Sequence, residues 1–363
     1  MSLIRLPGSS RVTPAPKIRT GPSAFSRVFG FVGVIVLGAV IVGFLKLIVY
    51  SQNFLPAETV SREVVVTIPP GASNVEISQI LKRAGVIRSA EAFVFALKIR
   101  SYLRRPASLK AGEQALDPAV DVWGVIATLH KGQFKLYPFT VPEGRNMVEI
   151  AKAVEEAGLG RSTDFLVLCR DPAFIASLGL RALSLEGFLF PETYSFPRGT
   201  PLKTIIGSMT GQFFRVWNKY SATAAMKGMS LNDVVTLASI VEKETGRPEE
   251  RPLIAGVFLN RLDKRMRLQT DPTVIYGLVN FNGNLTRADL ETNHPYNTSV
   301  IEGLPPGPIC SPGEEAIKAV LNPALGDYLY FVSRNDGTHH FSSTLAEHNR
   351  MVNRYQRSPK RGF

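Results

Sequence analysis

Cysteine is nearly absent: Cys169 and Cys310 are the only two among 363 residues, with 140 residues between them. That excludes a disulfide framework and a cysteine-built metal site. It leaves at most one long-range bridge in an oxidising compartment, and Cys169 inside "DFLVLCR" reads more simply as a small buried hydrophobe. Histidine is scarce as well. His130, His294, His339, His340 and His348 form no HExxH or other metal-spaced pair, so neither a metal nor any other cofactor is expected. The chain also lacks a finger, a helix-turn-helix signature and a basic stripe interleaved with aromatics, so its net charge of +12 does not point to nucleic acid.

Acidic residues are missing altogether before Glu58, whereas Arg5, Arg11, Lys17, Arg19 and Arg27 precede the uncharged run "VFGFVGVIVLGAVIVGFL" from Val28 to Leu45. With "LIVY" continuing after Lys46, the run is long enough to cross a hydrocarbon core as a helix. It exceeds an ordinary signal-peptide core, and "SQNFLPAE" offers no clean small-x-small cleavage site. The expectation is a basic cytoplasmic arm over 1–27, a transmembrane helix over 28–50 in contact with membrane lipid, and an exported remainder. Residues 1–57 hold six of the 42 basic residues and none of the 30 acidic ones, which leaves 36 against 30 outside the membrane. So mild a surplus suits an anionic polymer surface without demanding one.

The exported part repeats itself at an offset of 73 residues. "VTIPPGASNVEISQILKRAG" (66–85) matches "FTVPEGRNMVEIAKAVEEAG" (139–158), with Gly71 over Gly144 and Gly85 over Gly158. Each copy reads as a β-branched strand, a Pro/Gly turn and an amphipathic helix closed by glycine. The fold class is therefore α+β, with a small module over 64–135, a larger mixed α+β domain over 136–355 and a basic tail over 356–363. Farther on, "LSLEGFLFPETYSFPRGT" places Glu186, Glu192 and Tyr194 in an aromatic-rich stretch of the kind that lines a sugar groove.

Ser230 and Asp233 form a capping-box pattern that opens a helix carrying "ASIVEKETG" (238–246). Glu242 and Glu244 fall on opposite borders of its apolar stripe, each about 80° from the centre. Periodicity alone does not choose between them. Ala238 and Ser239 beneath Glu242 would leave room for a ligand across the helix, and a carboxyl at the edge of an apolar face resists ionisation, as a general acid must. Downstream, "RLQTDPTVIYGL" is a polar stretch leading into a short strand or helix, Pro305, Pro306 and Pro308 stiffen a loop that suits one wall of a cleft, and Ser311 is placed to cap a helix after Pro312. "DYLYFVSRNDGTHHF" reads as a hairpin turning at Asn335–Gly337.

Taken in order, "EGFLFPETY" (186–194), "LASIVEKET" (237–245), "NRL" (260–262), "RLQTDPTVIYG" (267–277), "YNT" (296–298), "GLPPGPI" (303–309), "DGTHHF" (336–341) and "EHN" (347–349) resemble the MltG or YceG-like family of membrane-anchored endolytic lytic transglycosylases. The resemblance covers about 64–355 and departs from the usual pattern at Ser299 and at "CSPG" (310–313). It implies cleavage of the β-1,4 bond between N-acetylmuramic acid and N-acetylglucosamine within peptidoglycan glycan strands, leaving 1,6-anhydro ends; the two-copy pattern separately suggests a LysM-like accessory module over 64–135. Carried onto this sequence, the resemblance makes Glu242 the catalytic acid. Glu186, Glu192, Tyr194, Ser239, Glu244, Gln269, Thr270, Asp271, Tyr276, Tyr296, Asn297, Thr298 and His340 become the substrate-binding set. Peptidoglycan synthases, the penicillin-binding proteins, are the implied protein partners. A noncatalytic peptidoglycan-binding scaffold and a muramidase-type hydrolase are the competing readings.

Overall fold

The computed structural model describes residues 24–103, 108–279 and 281–357. The expected basic arm up to residue 23 and the end of the expected tail, 358–363, lie outside the described residues. Helix α1 (Ala24–Ser51) follows the apolar run; its 28 residues rise about 42 Å, and from Phe31 onward none is buried in protein. It is long and apolar enough to cross a membrane.

The chain divides into two compact units, one comprising residues up to 111 with 115–133, the other 112–114 with 134 onward. In the first, β1 (Val64–Ile68) is followed by α2 (Asn74–Arg83), α3 (Ala90–Leu103), β2 (Gly112–Leu116) and α4 (Val122–Lys131). β1 pairs with β2, and Val66, Ile68, Leu81, Phe93, Ile126 and Leu129 close a core of their own.

The second unit runs β3 (Tyr137–Thr140), α5 (Met147–Glu156), α6 (Ser162–Cys169), α7 (Pro172–Ser177), β4 (Thr193–Phe196), α8 (Leu202–Met226), α9 (Leu231–Glu244) and α10 (Arg251–Asp263). It continues through α11 (Asp271–Gly277), α12 (Arg287–Glu291), α13 (Glu314–Leu321), β5 (Tyr330–Ser333), β6 (His339–Ser342) and α14 (Leu345–Val352). β3 pairs antiparallel with β4, Phe139 facing Tyr194, and β5 with β6, Phe331 facing Phe341. The turn of that second hairpin uses left-handed Asn335 and Gly337.

The repeat is structural as well as textual. Ser73 and Asn146 each head a helix with a complete capping box, closed by Glu76 and Glu149 respectively, and Gly71 and Gly144 share a φ of 76° in the preceding turn. Both cysteines are buried free thiols, so there is no bridge between them; Cys310 Sγ instead donates to the Ser239 carbonyl at 3.3 Å.

Helix α9 organises the larger core. Val234 to Val241 are buried without interruption, because α8, α10, α11 and α13 all pack on it. The expected apolar stripe is thus a helix buried all round through its middle, and only its two end turns emerge. One expected cap fails: α13 starts after Gly313, with no help from the Ser311 hydroxyl. Ser311 is fully buried, and its backbone is committed to residues 144–145, accepting from Gly144 N and donating to Arg145 O.

Candidate active site

The last turn of α9 sends its two glutamates into different surroundings. Glu244 faces a cavity of about 400 Å³ lined also by Arg261, Gln269, Asp271, Tyr330, His348 and Asn349. Thr270 Oγ1 donates a short hydrogen bond to Glu244 Oε1. Burial pushes the Glu244 carboxyl up to about 7; Thr270 pulls it down, Asp271 adds to the rise, and His339 and Arg261 oppose it. At neutral pH a large share of this group carries its proton, within reach of a cavity.

The support beneath it is a chain of hydroxyls. Thr273 Oγ1 donates to Thr270 O at 2.8 Å and meets Thr298 Oγ1 at 2.8 Å, while Thr298 Oγ1 accepts from Thr270 N at 3.1 Å. Gln269 sits at φ 53°, a left-handed conformation rare outside glycine that costs on the order of 1 kcal/mol. Its N–H donates to Thr298 O, and its side chain reaches the cavity beside Arg261. Arg261 is fastened by Leu329 O at 2.7 Å and Leu268 O at 2.8 Å and lies over the Tyr330 ring. His348 stacks on the same Tyr330 ring at 5.2 Å, and burial, then Arg261, lower its pKa. Asp271 stands at the exposed rim, its carboxyl raised by partial burial.

Glu242 turns the other way. Its Oε1 accepts from Arg251 Nη2 at 2.7 Å and its Oε2 from the Gly313 N–H at 3.0 Å, with the two side chains 6% and 10% exposed. Glu143 joins the same guanidinium at 3.5 Å, and burial, then the nearby Glu242, raise its pKa. Both oxygens of Glu242 are therefore occupied by fixed donors that tie α9 to α10 and to the loop before α13.

Glu186 belongs to a second cavity, of about 370 Å³, with Arg181, Asn232, Tyr296, Pro306 and Pro308 on its walls. The proline-rich loop is thus one wall of a cleft, but of this one. Glu186 is 3% exposed; it accepts from Met147 N at 2.9 Å and from Tyr276 OH at 3.0 Å. Burial raises it to about 7 against those two donors. Tyr276 and Tyr296 pack at 4.8 Å, so α11 runs from the Glu244 cavity at Asp271 to the Glu186 cavity at Tyr276.

The remaining expected residues are scattered. The surface over Ala238 and Ser239 is not open to a ligand: Ser239 is fully buried, donating to Thr236 O and accepting from Ile309 N, so the loop occupies that place. Tyr194 is a core residue bonded to Phe190 O at 2.6 Å, and Glu192 is exposed beside Gln212. Asn297 spends its amide on three carbonyls, at Asp289, Leu290 and Thr292, and its oxygen on Ser299 N. His340 meets Glu347 at 3.3 Å on the β6 side. Residues given no role from the sequence, Arg261, Tyr330, His348 and Asn349, line the Glu244 cavity. "NRL" and "EHN" marked three of them without indicating which side chain faced inward.

The model of the YceG-like family matches residues 66–354. The chain is 33% identical over 324 residues to the endolytic murein transglycosylase of Bacillus subtilis strain 168, covering 84% of this chain and 89% of that one. It is 31% identical over 334 residues to the protein of the same name from Streptococcus pneumoniae strain D39, covering 83% of this chain and 60% of that one. The crystal structure of a YceG-like protein from Listeria monocytogenes superposes with a TM-score of 0.55 at 35% identity, covering 80% of this chain and all of that one.

Proposed function

The chain belongs to the YceG-like family, and from that premise we propose that it is an endolytic transglycosylase of peptidoglycan, anchored in the cytoplasmic membrane by α1 with its two units outside. Residues 64–135 serve as a LysM-like accessory domain and 136–355 as the catalytic domain, acting on glycan strands beside the synthases that make them. The observation that carries the reading is a buried carboxyl, its pKa raised by burial, at the wall of a polar cavity.

We assign the acid to Glu244 in preference to Glu242. A proton donor needs a carboxyl that resists ionisation and reaches the substrate. Glu244 meets both conditions, whereas Glu242 has a guanidinium on one oxygen and a backbone N–H on the other. Glu244 delivers its proton to the glycosidic oxygen as the C1–O bond breaks and positive charge develops at C1, which the substrate's N-acetyl group stabilises. The Glu244 carboxylate, favoured at that moment by Thr270 and Arg261, takes the proton of the muramyl C6 hydroxyl as its oxygen bonds to C1. One glutamate serves as acid and then base. Gln269, Asp271 and Asn349 are positioned to hold the sugar over it.

Digestion of uncrosslinked peptidoglycan by the purified chain, read by mass spectrometry, tests the reaction. Internal cuts ending in muramyl residues lighter by one water are expected. Water-added ends would indicate a hydrolase using Asp271 as its second carboxylate, and binding without turnover would indicate a scaffold.

A further inference from the structure

The first unit carries an exposed aromatic surface where α1 leaves the apolar run. Tyr50, in the last turn of α1, packs edge-on against Phe54 at 5.6 Å and Phe95 at 6.3 Å, and Phe54 stacks on Trp123 at 6.3 Å. Phe54 is the inner member, half-buried against the unit's core. Tyr50 is 38% exposed, Trp123 38%, Phe95 47% and Tyr102 90%. On α3, Phe95, Lys98, Ile99 and Tyr102 recur at helical spacing, so a single face presents two aromatics with a cation between them. Four elements, α1, the 52–54 turn, α3 and α4, thus contribute to one patch that the core does not need to leave outside.

We propose that this patch is a membrane-docking surface, seating the first unit in the headgroup region of the leaflet from which α1 emerges. The partner follows from continuity. The patch begins on the helix that crosses the bilayer, one turn after Lys46, so its level is the membrane interface. Tyrosine and tryptophan are the side chains that interface favours, with an apolar ring in the acyl boundary and a polar handle in water. Lys98 adds attraction to anionic headgroups. Docking fixes the height and orientation of the first unit relative to the leaflet.

The inference rests on the membrane-spanning reading of α1, and fluorescence separates the two. Trp123 and Trp217 are the only tryptophans, and Trp217 is buried in the second unit. The full chain carrying Trp217→Phe, placed in phosphatidylcholine–phosphatidylglycerol nanodiscs, should lose Trp123 emission when a nitroxide quencher sits near the headgroup, and lose less when it sits near the acyl terminus. Phe95→Ser with Tyr102→Ser should weaken that quenching. Should Trp217→Phe impair folding, the difference between the wild type and Trp123→Phe supplies the same signal. A chain retained in the discs with Trp123 emission unaffected by the shallow quencher, or quenching unchanged by the α3 substitutions, overturns the docking. A chain not retained in the discs overturns the membrane reading and the docking with it.

Discussion

Glu242 and Glu244 have the same side chain and stand two positions apart, so what separates them comes from outside the helix. The partners that decide it, Arg251 and Gly313 for one and Thr270 for the other, arrive from 9, 71 and 26 residues away. Periodicity set the two carboxylates on opposite sides of α9, and they do enter different surroundings, but it held no information on which side would carry a cation. Glu186 makes a testable contrast, since its raised pKa serves no proton transfer proposed here. Its folded value, about 7 against an ordinary 4.5, means that the stability of the protonated form is fully present below about pH 4.5 and is lost as pH rises through about 7. The loss amounts to about 3 kcal/mol. Denaturant titrations of Glu186→Gln, which stays neutral, should show a smaller fall in stability between about pH 5 and pH 8 than the wild type; an equal fall would assign the pH dependence elsewhere.

At the scale of elements, local signals read well and non-local ones poorly. The two capping boxes, the terminating glycines and the Asn335–Gly337 hairpin turn are written within a few residues of where they act. Ser311 does not cap α13 because its backbone pairs with the turn at 144–145, a contact between segments far apart in the chain. Ser239 is closed to a ligand for the same reason, the loop at Ile309 filling the space beside it. Asn297 and Thr298 lie in the family motif as supports for the backbone and for Thr270, and sequence does not distinguish a support from a substrate contact. The proline loop's fit is set by Gly187, whose φ is 83° and where a Cβ would meet Pro308 at 2.5 Å. Gly187→Ala should cost about 1–3 kcal/mol through backbone strain and displacement of that loop. A thermal unfolding midpoint equal to the wild type would show that the loop yields freely.

For the whole molecule, the one-sided charge and the exposed α1 predict a single crossing with the N-terminus in the cytoplasm. Reporter fusions after residue 20 and after residue 60 should give cytoplasmic and external signals respectively, and the reverse would place the two units on the wrong side for a wall polymer. The second unit brings Glu244 and Arg261 to one cavity, with Thr270 bonded to Glu244, and the proposal is that Glu244 alone supplies and recovers the proton there. The most direct measurement is the yield of anhydro-ended glycan from peptidoglycan, taken as a function of pH for the wild type, Glu244→Gln and Glu242→Gln, with folding checked by circular dichroism. Wild-type kcat/KM should fall about tenfold per unit as pH rises beyond about 7. Glu244→Gln should lose at least about 10²–10⁴-fold in rate while remaining folded. Glu242→Gln should lose stability through the vacated Arg251 and keep the same anhydro product. Substantial anhydro product from folded Glu244→Gln, with none from folded Glu242→Gln, would contradict the assignment.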